Sequence, residues 1–262
     1  MPVFPWRLWA GLALLSAGSL FAGAAAPAQK SAPALKIPPG FDLAAAMTAL
    51  YGNYDPARRS SSIVAPHGAD EPNEKEVVRA FFHAGFRDSD EDQVLLATYA
   101  VPAGGRSTRH DCQPLIGEAL FRRGASGWKV EASRRPDFKF GRKCEPPKAE
   151  IFQFGPHQFG IELEVTASTQ GEIATEISLL APWAGTFASV FQTDTEDNNF
   201  GGCPPKGPAP CYASSSLLKF VPGDNPEYYD LLVETFGTHL TNGAIEDIGY
   251  TKHLRFAGGR YF

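Results

Sequence analysis

Residues 180–187, Leu-Ala-Pro-Trp-Ala-Gly-Thr-Phe, predict how this chain folds. An apolar segment runs into a turn that contains Pro182 and Gly185, and an aromatic residue, Phe187, begins the next apolar segment. Proline and glycine supply the backbone angles of tight turns, and aromatic residues favour strands. The pattern therefore predicts a β-hairpin, in which two antiparallel strands are joined by a short turn.

The same strand–turn–aromatic pattern recurs along the chain. Its turns lie at 123–127, 155–158, 182–185, 222–226 and 257–259, and the aromatic residues that restart the strands are Trp128, Phe159, Phe187, Tyr229 and Tyr261. Two more strands are predicted at 76–86 and 93–101, on either side of the polar segment 88–92. The pattern gives about six hairpins, or about twelve strands, and these would make three small sheets if they were grouped in fours.

We therefore predict an all-β protein with a short N-terminal helix. Its antiparallel hairpins would form a sandwich, a barrel or a propeller-like arrangement. The helix is predicted at 42–51, because Leu43, Met47 and Leu50 recur at helical spacing and Asp42 can cap the first turn. The polar, proline-containing segment 53–73 is predicted to be a long loop.

The N-terminal segment predicts export from the cytoplasm. Residues 1–28 carry a single charged residue, Arg7, followed by an apolar run and by small residues that suit a cleavage site. This is the pattern of a secretory signal peptide, so we expect a periplasmic or secreted protein with no membrane span in the mature chain. Residues 29–40 are predicted to be a flexible leader, and 41–262 a single domain stapled by disulfides.

Four cysteines follow the predicted signal. Cys112, Cys144, Cys203 and Cys211 allow three pairings. Proximity in sequence favours Cys112 with Cys144 and Cys203 with Cys211, and an oxidising compartment permits both bonds.

Composition and motifs exclude several function classes. The chain of 262 residues is 43% hydrophobic, enough to bury a core, and its formal net charge of −5 disfavours nucleic-acid binding, which needs clustered cations. The sequence contains none of the nucleotide-binding, zinc-protease or nucleophile-elbow motifs. The sequence thus shows no recognisable catalytic constellation and no cofactor site beyond a candidate for calcium.

The calcium candidate lies in a segment of oxygen-bearing side chains. Its four ligands would be Asp194, Glu196, Asp197 and Asn198. Calcium takes six to eight oxygen ligands, and alternating acids on a turn suit it. The alternative interpretation is a solvated polar turn.

A basic run between 122 and 148 is the second candidate. Arg122, Lys129, Arg134, Arg135 and Arg142 would line one surface if they lie on one face of a hairpin, and such a stripe binds anions. The alternative is a solvated outer face.

The sequence is compatible with three functions. The leading hypothesis is an exported binding protein of the cell envelope, with an unknown envelope ligand or protein as its partner. The second is an envelope hydrolase, of glycan type, whose carboxylates converge only in the folded chain; Glu162 and Glu164 share a face of a predicted strand. The third is a structural or protein-interaction component that offers exposed sheet edges to another protein.

Overall fold

Two antiparallel sheets follow one another along the chain in a computed structural model that describes residues 37–65, 74–104, 112–203 and 210–262. Sheet A has five strands in sequence order. They are β1 (Ser61–Ala65), β2 (Glu74–Asp88), β3 (Glu91–Pro102), β4 (Leu115–Gly124) and β5 (Gly127–Lys139). The predicted signal at 1–28 and most of the predicted leader lie outside the described residues.

Sheet B has seven strands, again in sequence order. They are β6 (Lys148–Gly155), β7 (Gln158–Thr169), β8 (Glu172–Trp183), β9 (Thr186–Asn198), β10 (Ala213–Pro222), β11 (Tyr229–Thr241) and β12 (Ala244–Leu254). A small hairpin of β13 (Phe256–Ala257) and β14 (Arg260–Tyr261) ends the chain. The all-β class and the recurring hairpins are confirmed, whereas the grouping into three four-stranded sheets is wrong.

The two sheets stack face to face around a shared core. From sheet A this core takes Phe86, Leu95, Ala97, Ile116, Leu120 and Ala132; from sheet B it takes Ile161, Leu163, Leu180 and Phe187. Successive residues of a strand point to opposite faces, so the neighbours Val94 and Leu96 lie on the outer face of sheet A. The near-continuous apolar run of β3 follows from burial on both faces.

One helix, α1 (Leu43–Tyr51), covers that outer face. The side chain of Asp42 accepts hydrogen bonds from the backbone N–H groups of Ala44 and Ala45, as an N-cap does, and the left-handed Gly52 ends the helix. Met47 is fully buried against sheet A. The predicted helix is therefore confirmed, but part of the predicted loop at 53–73 forms β1, the edge strand of sheet A.

Sheet B covers its second face by curling. The Phe152 ring of β6 stacks on the Phe220 ring of β10, with 5.4 Å between centroids, although the two strands lie far apart in the sheet order. The β13–β14 hairpin fills the concave side, where Phe256 and Tyr261 are buried among aromatic residues of β6, β8, β9 and β10. Phe154 is fully buried in this aromatic cluster.

The connections between strands divide the protein into two ends. At one, which we call the turn end, the hairpins β2–β3, β4–β5, β6–β7 and β8–β9 close in two-residue turns, and residues 223–228 join β10 to β11. The other is the disulfide end, where the β3–β4, β5–β6, β7–β8, β9–β10 and β11–β12 connections lie. Cys112 is bonded to Cys144 and Cys203 to Cys211, with Cα atoms 4.9 and 5.3 Å apart, which matches the predicted pairing.

Candidate functional site

A cleft of about 620 Å³ opens between the two sheets at the turn end. The β2–β3, β4–β5, β6–β7 and β8–β9 hairpins all contribute residues to it, and Tyr228 comes from the β10–β11 connection. Its walls are formed by Phe86, Asp88, Gln93, Leu120, Arg122, Glu131, Ala132, His157, Gln158, Phe159, Pro182, Trp183, Ala184, Gly185 and Tyr228. The volume falls within the range of small-molecule sites in proteins.

The floor of the cleft is apolar. Phe86 of β2 and Phe159 of β7 meet across the two sheets with ring centroids 4.4 Å apart, and Leu120 and Ala132 lie beside them. All four belong to the core between the sheets or pack against it. The cleft is thus the point where this core reaches the surface.

A histidine–carboxylate pair forms one side of the rim. Nδ1 of His157 lies 2.6 Å from Oδ1 of Asp88, and the Ser89 hydroxyl is 3.3 Å from the same nitrogen. Because an ionised carboxylate only accepts hydrogen bonds, Nδ1 of His157 is the donor in this contact with Asp88. The His157 side chain is 65% exposed, so a ligand can reach it.

An arginine that lines the cleft, Arg122, is neutralised by two acids. Arg122 donates two hydrogen bonds to Glu131, at 2.6 and 2.7 Å, and lies 3.0 Å from a Glu91 oxygen. Such a forked pair fixes the planes of both groups. The rim therefore offers fixed donors and acceptors rather than an uncompensated positive charge.

Two aromatic side chains form the wall on the side of sheet B. Trp183 and Tyr228 are half-buried, with ring centroids 6.1 Å apart, and Tyr228 stacks on Phe256 at 4.4 Å. Burial, and next the charge of Glu227, raise the pKa of Tyr228, so its hydroxyl stays protonated at neutral pH. The wall combines ring faces for packing with an O–H and an indole N–H for hydrogen bonding.

The predicted anion stripe does not lie on one surface. Arg122 is at the cleft, Arg134 is between the sheets, and Arg142 lies beyond β5 at the disulfide end, where it lines a smaller cavity of about 250 Å³. Lys129 is the register partner of Arg122, and Arg135 is exposed. Bulges in the β4–β5 pairing disturb the alternation on which the single stripe depended.

Arg134 instead belongs to a buried ion pair. Its guanidinium donates two hydrogen bonds of 2.9 Å to Glu118, which is 1% exposed, and it lies 5.2 Å from the Phe138 ring centroid. Glu118 alternates with Ile116 and Leu120, so it faces sheet B. Burial raises the pKa of Glu118, and the hydrogen bonds from Arg134 oppose that rise.

The candidate calcium ligands lie on a strand, not on a turn. Asp194, Glu196, Asp197 and Asn198 all belong to β9, where alternate side chains point to opposite faces. Glu196 accepts a hydrogen bond from Thr175, and Asp197 accepts one from Tyr212. Among the described residues, no three His, Cys, Asp or Glu side chains converge as a metal site requires.

Glu162 and Glu164 share a face of β7, as predicted, but neither lines the cleft. Lys148 of β6 lies 3.7 Å from Glu164 and 3.0 Å from Glu150, the register partner of Glu162. Burial, followed by the charges of Glu150 and Glu164, raises the pKa of Glu162.

Apart from Arg122, which the sequence analysis assigned to an anion-binding stripe, the cleft residues are not predicted from the sequence. Asp88, His157 and Trp183 were assigned to turns, and no motif connects them. A usable signal was present: in an antiparallel meander every second connection lies at the same end, so the turns at 88–92, 123–127, 155–158 and 182–185 can meet when the sheets stack.

Comparison with protein-family models, curated proteins and solved structures found no significant match. No described helix has the length and apolar character that a membrane crossing needs.

Proposed function

We propose that this chain is an exported binding protein of the cell envelope and that its cleft at the turn end holds the ligand. The observation that carries the proposal is the combination of an apolar floor with a rim of fixed hydrogen-bonding groups in one cleft of about 620 Å³. Export is supported by the pattern of residues 1–28 and is compatible with the two disulfides.

The chemistry of the walls favours an uncharged saccharide. A sugar ring carries C–H groups on its faces and hydroxyls around its edge. Trp183 and Tyr228 offer ring faces for the first, while Gln93, Gln158 and Asp88 offer amide and carboxylate groups for the second. Because Arg122 is already paired with Glu131 and Glu91, an anionic group gains less here than at a free arginine. We therefore infer a neutral glycan fragment as the ligand class.

Thermal melting tests this proposal directly. The probes are uncharged oligosaccharides of N-acetylglucosamine and, for comparison, heparin-derived oligosaccharides. A ligand at 100 times its Kd adds about 2.7 kcal/mol to the folded state, or roughly 5–10 °C for a domain of this size. We expect this shift with the uncharged series. The proposal is wrong if no saccharide raises the melting temperature or if the anionic series alone does so.

A pair of tryptophan substitutions locates the site. Gln158→Trp places an indole on the rim at the first residue of β7, whereas Thr169→Trp places one at the exposed last residue of the same strand. We expect the first to weaken saccharide binding at least tenfold and the second to leave it unchanged. Isothermal titration measures both affinities, and an equal loss of affinity in the two variants would show that the saccharide does not bind in this cleft.

Hydrolysis of a glycan in the same cleft is the second candidate. It is favoured by two carboxyl groups, Asp88 and Glu131, that line the cleft from different hairpins, because glycoside hydrolysis needs two such groups. New reducing ends after incubation with the oligosaccharides, lost in both Asp88→Asn and Glu131→Gln, would support it. Binding without turnover supports the first candidate instead.

A further inference from the structure

The four outer edges of the two large sheets differ in regularity. On sheet A, β1 has five residues, while the β5 pairing is interrupted by two register shifts and β5 contains Pro136. On sheet B, β6 has eight residues and a register shift near Gly155. Short strands, bulges and proline are devices that stop a sheet edge from pairing with another chain.

The fourth edge, β12, carries none of these features. Its eleven residues, Ala244 to Leu254, pair with β11 without any register shift. Nine of them are exposed, and Ile248 and Leu254 are half-buried. The strand is long enough and regular enough to accept another strand along its whole length.

The hairpin turn fixes which backbone groups of β12 are open. Thr241 and Ala244 are register partners on either side of the two-residue turn Asn242–Gly243. The pair that flanks such a turn is hydrogen-bonded, and pairs alternate from there. The N–H and C=O groups of every second residue therefore point away from β11; these residues are Ile245, Asp247, Gly249, Thr251 and His253.

We infer that β12 pairs with β12 of a second copy of this chain, antiparallel and about a two-fold axis at Gly249. Gly249 is the central residue of Ala244–Leu254, so this register pairs the strand with itself from end to end. The outward-pointing residues then face one another across the axis and exchange on the order of ten backbone hydrogen bonds. A two-fold contact of this kind closes on itself and does not propagate.

Charge complementarity identifies the second copy as the occupant. In this register Glu246 faces Lys252 of the second copy, and Lys252 faces its Glu246. Ile248 and Tyr250 face each other in the same way, and all four lie on one face of the strand. A shift of the register axis by one residue places Glu246 opposite Tyr250, or Ile248 opposite Lys252, and loses both charge pairs. Charges that protect an edge from other strands thus select this partner.

The opposite face adds an apolar contact. Phe236 of β11, the register partner of Gly249, is 48% exposed. A Cβ atom at Gly249 would meet no atom within 4 Å, so the space above it is open. In the paired sheets the two glycines lie side by side, and the two Phe236 rings cover them from either side.

Sedimentation equilibrium of the full chain, expressed with its N-terminal segment so that any processing takes place, tests the inference. We expect a reversible dimer, with twice the mass of the monomer, at micromolar concentration. Gly249→Pro removes an outward N–H that β11 does not use, so it is expected to leave the melting temperature nearly unchanged and to give a monomer. A monomer at all concentrations up to about 100 µM overturns the inference, as does a dimer that survives Gly249→Pro.

Charge reversal identifies the register. Glu246→Lys and Lys252→Glu each turn two attractive contacts into repulsive ones, and we expect each to raise the dimer Kd about tenfold or more. The double variant Glu246→Lys/Lys252→Glu restores both pairs and is expected to recover the wild-type Kd. Lys219→Glu is the control, because Lys219 is exposed on β10, an inner strand of the same sheet. Failure of the double variant to recover, with its fold intact, contradicts the register.

Discussion

The turn end and the disulfide end close the same two sheets in different ways. At the disulfide end, long connections are tied by Cys112–Cys144 and Cys203–Cys211, and the cavity there measures about 250 Å³. At the turn end, short turns leave the sheets apart over about 620 Å³, with no disulfide among the described residues. The difference shows how a stacked pair of sheets can keep one end open for a ligand: cross-links and aromatic packing stabilise the layers elsewhere.

The largest effect is expected where the aromatic packing supports the cleft. Phe154 is fully buried and lies 5.8 Å from Tyr228 between ring centroids. Phe154→Ala is expected to cost about 3–5 kcal/mol and to weaken saccharide binding, because Tyr228 loses its support. The matched control is Leu163→Ala in the core between the sheets, with a cost of about 2–5 kcal/mol and unchanged affinity. Urea unfolding and titration calorimetry measure both; full affinity in Phe154→Ala would contradict this role.

Loss of the buried ion pair between Glu118 and Arg134 is expected to lower the unfolding free energy by an amount that depends on pH. Arg134→Met leaves Glu118 without its partner and is expected to cost about 3–5 kcal/mol at pH 7. Burial already raises the pKa of Glu118 above its ordinary value of 4.5, and loss of Arg134 raises it further. A raised carboxyl pKa gives stability that is complete below pH 4.5 and is lost as the pH rises through the raised pKa.

The difference in unfolding free energy between wild type and the less stable Arg134→Met should therefore shrink as the pH falls toward 4.5. Unfolding by urea at a series of pH values checks the trend. Arg122→Met is the control, because its ion pair with Glu131 is exposed and is expected to contribute no more than about 1 kcal/mol. A deficit that grows on acidification would contradict the sign.

Removal of each disulfide is expected to lower the unfolding free energy by a different amount. In the chain-entropy model, closing the longer loop contributes roughly 3.7 kcal/mol for Cys112–Cys144 and roughly 2.6 kcal/mol for Cys203–Cys211. Replacing each pair with alanine should lower the unfolding free energy in that order while the cleft keeps its affinity below the melting temperature. Reductant should lower the melting temperature of the wild type and, by a smaller amount, that of each variant, which keeps the other disulfide. Four free thiols in the intact mass would refute the pairing.

The smallest effect is expected at the histidine pair of the rim. Asp88 and His157 form a single contact, and His157 is largely exposed. A double-mutant cycle with Asp88→Asn and His157→Ala should give a coupling of at most about 1 kcal/mol in stability. Saccharide affinity should fall in both single variants, since each changes a group on the cleft rim. A larger coupling in stability would make the pair a structural element and not a binding one.

Local signals in the sequence predict the hairpins well. Turns such as 155–158 and 182–185 are encoded by neighbouring residues, so they can be found without knowledge of the rest of the fold. Asn242–Gly243 is an equally local signal, but it lies outside the strand–turn–aromatic pattern, and the β11–β12 hairpin was not predicted. The pairing of both disulfides could be predicted because the two cysteines of each pair are close in sequence.

The cleft and the sheet grouping could not be predicted in the same way. Both depend on contacts between residues far apart in the chain, such as Asp88 with His157 and Phe152 with Phe220. The basic run shows the same limit, because bulges between β4 and β5 decide which side chains share a face. Turn residues report local backbone geometry, whereas a cleft at the end of a sandwich depends on how the layers stack.

A titration followed by amide and indole NMR signals shows whether a saccharide occupies the cleft at the turn end. The probe is the uncharged N-acetylglucosamine oligosaccharide that stabilises the protein most. We expect the Trp183 indole N–H and the backbone amides of 88–93 and 155–158 (Pro156 has none) to shift together and saturate, while those of 170–171 and 242–243 at the disulfide end stay in place. Shifts confined to the disulfide end, or none at saturating saccharide, would contradict this expectation.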